Sequence, residues 1–210
     1  MGATTIMIIR HAEKPGTYDG IDYRGVNPSG AEDKESLVTL GWERAGALAT
    51  LFSPPWGPGG TRLSVPGSVF AADPADKSKP DAKGHKADDE PSQRPYQTVS
   101  AVAAKLGLRI DTRFAKDKFK AMVGAALGYD GAVLISWQHQ DIPHLARHIL
   151  KHTGTPGNWF PVPDTWPGDR YDLVWVFSRP AGLGPMTAVH QVPQMLLAGD
   201  KDTVIPPPSG

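Results

Sequence analysis

The sequence predicts an α/β protein: a three-layer α/β/α sandwich with a mostly parallel sheet and helices on both faces. Three observations carry this. The apolar runs at residues 4–9 and 131–137 are continuous rather than alternating, as in strands buried on both faces. Strand-like and helix-like segments take turns along most of the chain, the pattern of a parallel sheet with crossover helices. With 210 residues and 40% hydrophobic content, the chain can build one sizeable core.

The elements follow in order. "TTIMII" at 4–9 is the first buried strand. Residues 16–38, rich in Gly, Asp and Asn, read as loop. Leu40, Ala47, Leu48 and Leu51 recur at helical spacing, with Thr39 placed to cap that helix, and "SPPWGPGG" stops it. "GSVFAAD" at 67–73 is a short strand. Residues 74–92 offer almost nothing to bury and read as a mobile solvated loop. Val99, Val102, Ala103 and Leu106 share one face of the next helix, and Gly107 suits its C-terminal stop. "RIDTRF" at 109–114 is a weak short strand, and 116–128 reads as helix. "GAVLISWQH" at 131–139 is the second strong strand. A helix follows at 141–152 with Pro143 in its first turn. "YDLVWVFSR" and "MTAVHQVPQML" are two closing strands, joined as a hairpin through "PAGLG". One domain is expected over 1–200, with 201–210 as a disordered tail. No internal repeat is visible.

Charge is balanced, 22 basic against 22 acidic residues, so nothing global points to nucleic acid or an anionic membrane. The absence of cysteine excludes disulfides, thiolate nucleophiles and thiolate metal sites. No apolar run approaches bilayer length, and no signal segment is visible. The expectation is a cytoplasmic protein, or a mature form stripped of its signal. The 21 prolines and 23 glycines suggest long irregular loops.

In parallel sheets, ligands bind beyond the carboxyl ends of the strands. Two strong strands end there in histidine, at His11 and His139. Arg10 precedes His11, and Arg94 stands at the start of the helix after the second strand. Two arginines and two histidines suit a dianionic phosphoryl group, because guanidinium forks match phosphate oxygens in pairs. A neutral imidazole can attack phosphorus and become a phosphohistidine. A second imidazole can donate to oxygens that gain charge in the transition state.

"RHAEKP" resembles the Arg-His-Gly/Ala-Glu signature of the histidine phosphatase superfamily, whose fold is that of the cofactor-dependent phosphoglycerate mutases. "VTLGWERAGALA" is similar to its Leu-Thr-x-x-Gly-x-x-Gln/Arg-Ala stretch. "SQRPYQTVSAVAAKLGL" is similar to its Ser-x-x-x-Arg-x-x-x-Thr segment, and "VLISWQHQDIP" to the late strand that ends in the second histidine. The four segments stand in the family's order over residues 4–145. The resemblance implies a phosphoglycerate mutase-like fold, His11 as nucleophile, and a phosphate pocket of Arg10, Arg94, His11 and His139, with Thr98 as the helix partner of Arg94. The sequence departs from the family at Gln138, where the family has glycine, and in the long polar loop before Arg94.

The expected activity is that of a phosphomonoesterase on a small phosphorylated molecule, without cofactor or metal. A mutase-like phosphotransferase and a catalytically weak phospho-ligand-binding protein remain as alternatives. The oligomeric state is open. So is the general acid. Asp141, two residues after His139, is one candidate, and its other role would be an N-cap. Glu13 is the rival, inside the signature, and Asp117 lies where the mutase-like branch keeps a glutamate. His144, His148 and His152 fall at i, i+4, i+8, a spacing that can bind zinc, but no further ligand completes a set. Trp137, Trp159, Trp166 and Trp175 read as core and loop packing.

Overall fold

The computed structural model describes residues 2–18, 20–55, 62–75, 92–180 and 182–207. Apart from residues 74, 75 and 92, the polar loop expected over 74–92 lies outside them.

The strands β1 (Ala3–Arg10), β4 (Ser68–Ala71), β5 (Ile110–Asp111), β6 (Gly131–Trp137), β7 (Leu173–Ser178) and β8 (Ala188–Pro193) form one six-stranded sheet in the order β5-β4-β6-β1-β7-β8. β1, β4, β5 and β6 run parallel. β7 is antiparallel to both β1 and β8, so it alone is reversed, as the hairpin reading of the last two strands requires.

Helices α1 (Thr39–Phe52) and α2 (Arg94–Leu106) cover one face, and α3 (Phe119–Leu127) and α4 (Ile142–His152) the other. β1 shows why. Ile6 and Ile8 pack into the core with Met122, Val123, Leu145 and Ile149, while Met7 and Ile9 pack with Leu48, Phe52, Val99 and Val102. Each such side chain, removed from water, contributes about 1.5–3 kcal/mol. β7 repeats the alternation, with Trp175 and Phe177 on one side and Val174 and Val176 on the other. Trp137, Trp166 and Trp175 are buried, whereas Trp159 is exposed.

Gly107 ends α2 in the left-handed conformation, at φ 66°, where a residue without Cβ is favoured. Three sequence expectations are corrected. Thr39 is the first residue of α1 rather than its cap; Val38 occupies the cap position, with no side-chain bond to the helix. The loop expected over 16–38 contains a small antiparallel ribbon, β2 (Gly16–Tyr18) and β3 (Ile21–Tyr23). Its residues are largely exposed, so no apolar alternation marks it in the sequence. Of the expected tail, residues 201–207 are described, and they are tied down. Ile205 is buried, and it exchanges two hydrogen bonds with Gln191. The Arg170 guanidinium donates to the Thr203 carbonyl at 2.6 Å. Residues 208–210 lie outside the described set. Among the described residues, no helix is long and apolar enough to cross a membrane.

Candidate active site

β1 and β6 end side by side, with Arg10 opposite Trp137. The His11 N–H donates to the Trp137 carbonyl at 2.9 Å, extending the ladder one residue and fixing the His11 backbone. The next N–H, of Ala12, donates to Thr98 Oγ1 at 2.8 Å, and that hydroxyl donates to the Arg94 carbonyl at 2.7 Å. Thr98 therefore joins the start of α2, which carries Arg94, to the turn after His11.

His11, Arg94 and His139 line one cavity at this edge, with Lys14, Lys116 and Gln138. Its described lining contains no carboxylate. His11 Nδ1 lies 2.8 Å from the Ala12 carbonyl. A carbonyl only accepts, so Nδ1 carries the proton and Nε2 keeps the lone pair. Burial, with the charges of Arg10 and Arg94, holds the His11 pKa well below the usual imidazole value. His11 is therefore neutral at pH 7, with its lone pair on Nε2.

Arg10 is buried. Its Nη1 donates to the carbonyls of Gly168, at 2.7 Å, and Arg170, at 3.2 Å. The Tyr171 ring lies 3.8 Å from the guanidinium carbon, a cation–π arrangement. Nε and Nη2 are buried without a hydrogen-bond partner among the described residues. Burial pushes its pKa down, opposed by Tyr171, Tyr18 and Glu13. Arg94 Nη1 donates to the Lys34 carbonyl at 2.9 Å, and Glu35 lies 3.9 Å away.

The acid candidates sit elsewhere. Glu13 is buried and gripped by Arg44, with contacts of 2.7–3.2 Å. Arg44 also reaches both oxygens of Asp200, at 2.7 and 3.0 Å, and Gln194 at 3.1 Å. Glu13 is thus one arm of a buried Glu13–Arg44–Asp200 network, and it faces a different cavity. Asp117 pairs with its neighbour Lys118 at the surface. Asp141 occupies the cap position of α4 but makes no side-chain cap bond. Its carboxylate instead accepts from Gln138 Nε2, which places it behind the cavity wall. Burial raises the Asp141 pKa, and the Gln138 bond partly offsets this.

Gly41 explains the second motif segment. A Cβ there would stand 2.7 Å from the Glu13 carbonyl oxygen and 3.1 Å from the Glu13 nitrogen, so only glycine lets α1 touch the backbone beyond His11. Gly41→Ala is expected to lower stability by about 1–3 kcal/mol, as overpacking does, and to reduce activity by displacing the His11 turn. Denaturant unfolding alongside a turnover assay checks this. A variant as stable and active as the parent would mean that the turn yields freely.

His144 and His148 pack around Phe119, and the His148 and His152 rings lie 5.8 Å apart. Among the described residues, no group of three or more His, Cys, Asp or Glu could hold a metal ion. Sequence reasoning missed Lys116, buried in the turn before α3, and Ser92, whose buried hydroxyl has no hydrogen-bond partner among the described residues. It also missed the loop that holds Arg10. No local pattern marks Lys116 or the loop; Ser92 lies in a quoted motif segment.

No family model and no curated protein matches the chain. Solved structures similar to it include one described as the "putative phosphohistidine phosphatase SixA" from Agrobacterium tumefaciens, at 13% identity, covering 84% of this chain and 92% of that one, with a TM-score of 0.41. Another, under the same description, is from Nakamurella multipartitia, at 15% identity, 89% and 94% coverage, and a TM-score of 0.47. A third is "Mycobacterial hydrolase 1", at 12% identity, 90% and 95% coverage, and a TM-score of 0.40. These are likenesses of fold, and the chemistry of the site rests on this chain's own side chains.

Proposed function

We propose that the chain is a phosphatase of the histidine phosphatase superfamily, acting on a small phosphorylated molecule through a covalent phosphohistidine at His11. One observation carries the reading: a buried neutral imidazole with its proton held at Nδ1, beside a buried guanidinium with two donors left over. A phosphoryl dianion supplies the acceptors that Arg10 lacks, and Arg94 and His139 complete the pocket.

In the reaction, the His11 Nε2 lone pair attacks phosphorus and the bond from phosphorus to the leaving oxygen breaks. That oxygen takes the electron pair and a proton. The phosphoimidazolium keeps its Nδ1–H on the Ala12 carbonyl. Water then attacks phosphorus and gives a proton back to the Asp141 carboxylate, the P–N bond breaks, and inorganic phosphate leaves with His11 restored. Asp141 is the proton donor in this reading. Its raised pKa keeps it protonated to higher pH than an ordinary carboxyl, and it reaches the leaving oxygen by exchanging its Gln138 bond or through a water.

Steady-state phosphate release from a panel of phosphomonoesters tests the activity. A mutase-like transferase would release little phosphate, and a binding protein none. Asp141→Asn tests the acid. Esters with poor leaving groups should slow by about a hundredfold to ten-thousandfold, and p-nitrophenyl phosphate far less. Activity in the parent should fall as pH rises through the Asp141 pKa. Equal small losses on both esters, with stability lowered by about 1 kcal/mol through the lost Gln138 hydrogen bond, would make Asp141 structural.

A second reading is favoured by the described cavity lining, which carries no carboxylate: hydrolysis of a phosphoramidate, whose leaving nitrogen is basic enough to take its proton from water. Phosphohistidine in the same panel separates the two, since this reading expects its hydrolysis to survive Asp141→Asn.

A further inference from the structure

The turn after His11 carries a lysine that the reaction above does not use. Lys14 lines the same cavity as His11, Arg94 and His139. Its neighbour Glu13 faces the other cavity, in the grip of Arg44, so the two side chains leave the turn on opposite sides.

The backbone of this turn is held at each residue. The Ala12 N–H donates to Thr98, and the Ala12 carbonyl accepts from His11 Nδ1. The Glu13 carbonyl accepts from the Val38 N–H at 3.2 Å. The Lys14 carbonyl accepts from the Tyr18 hydroxyl at 3.1 Å, and Pro15 disfavours helical backbone at Lys14. Lys14 is therefore mounted on fixed backbone three residues after His11. Among the described residues its ammonium has no ion pair or hydrogen bond.

The carboxylates around the turn are engaged elsewhere. Glu13 serves Arg44, and Glu35 lies 3.9 Å from both Lys34 and Arg94. Asp141 accepts from Gln138, and Asp169 pairs with Lys201. What Lys14 meets in the cavity is decided by size. The space is about 30 Å³, and one water needs about 10–15 Å³. The oxygens of one phosphoryl group fit there, and a second anionic group beside them does not.

Resting on the phosphatase reading, we infer that Lys14 is a catalytic residue whose ammonium donates to a non-bridging oxygen of the phosphoryl group. Charge is spread over those oxygens while phosphorus passes from the leaving oxygen to His11. Lys14 stabilises that charge and keeps its own proton throughout.

The test is Lys14→Met in the full chain. Its kcat for phosphomonoesters should fall about a hundredfold to a thousandfold, as when an oxyanion-hole donor is removed. Inorganic phosphate, titrated by calorimetry, should bind about tenfold more weakly. Lys14→Arg should recover part of both. The ligand-free Tm should stay at the parent's value, because the Tyr18 bond is made to the Lys14 backbone. Lys118→Met, which removes one charge from a surface pair, should alter neither turnover nor phosphate binding. Parent-like kcat and phosphate binding in Lys14→Met overturn the inference and leave the phosphatase reading standing. A loss that Lys118→Met reproduces, or one that tracks a lowered Tm, does the same. A parent that neither binds phosphate nor turns over any phosphomonoester removes the phosphatase reading and the inference together.

Discussion

His11→Ala is expected to abolish turnover, by at least about ten-thousandfold, the scale of losing a nucleophile outright. Only the parent should acquire alkali-stable label when a turnover with radiolabelled substrate is quenched. The fold should persist, because the ring is one polar group at a strand end and the apolar layers do not depend on it. Its loss leaves the Ala12 carbonyl without the Nδ1 donor, at a cost of about 1 kcal/mol. A second signature accompanies the substitution. The folded-state pKa of His11 is depressed, so between it and the unfolded value of about 6.5 the unfolded chain binds more protons. Stability is therefore lost as pH falls below about 6.5. His11→Ala should remove that contribution and flatten the acid side of the stability profile. Label surviving in the variant would exclude His11 as the nucleophile.

Arg10→Met should separate function from stability. Among the described residues, the buried Arg10 guanidinium has no partner for Nε and Nη2, a cost that a bound anion relieves. Phosphate or vanadate at a hundred times its Kd should stabilise the parent by about 2.7 kcal/mol, or roughly 5–10 °C in Tm for a chain of this size. The variant should show no such upshift, and its turnover should fall by about a thousandfold or more. Its ligand-free Tm should change little, because relief of the unmatched buried charge is offset by loss of the bonds to the Gly168 and Arg170 carbonyls. A phosphate-induced upshift that survives in the variant would move the anion site away from Arg10.

The sequence was most legible where burial and backbone dictate residue type. β1 and β6 are continuous apolar runs because both faces are covered, and their ends announce Arg10, His11 and His139. The antiparallel closing pair could be read from the short Pro/Gly-rich link between two apolar segments. Side-chain pairing over long separations was not legible. Glu13 looked like a candidate acid because its partner Arg44 lies 31 residues away, and no spacing rule connects them. Asp141 could be read as a general acid or as a cap, because it follows His139 and stands at a helix start, yet its carboxylate turns back to Gln138. The β2–β3 ribbon escaped notice because exposed residues carry no hydrophobic period. Residues 201–207 escaped because a single apolar side chain, Ile205, and bonds to backbone atoms hold them.

The anchoring of residues 200–205 bears on how the protein is made. The site's first strand leaves the ribosome well before its sheet neighbours, residues 131–137 and 173–178. The loop that aims Arg10 is fastened later still, by Lys201 N–H on Asp172 at 2.7 Å and by Thr203 on Arg170. Asp200 must arrive before Arg44 has both of its carboxylates. A nascent chain therefore carries His11 long before it can hold a finished site, which waits until about residue 203 has emerged. Such late closure of distant contacts makes for slow folding. It also means that partly synthesised chains lack the geometry of the finished site.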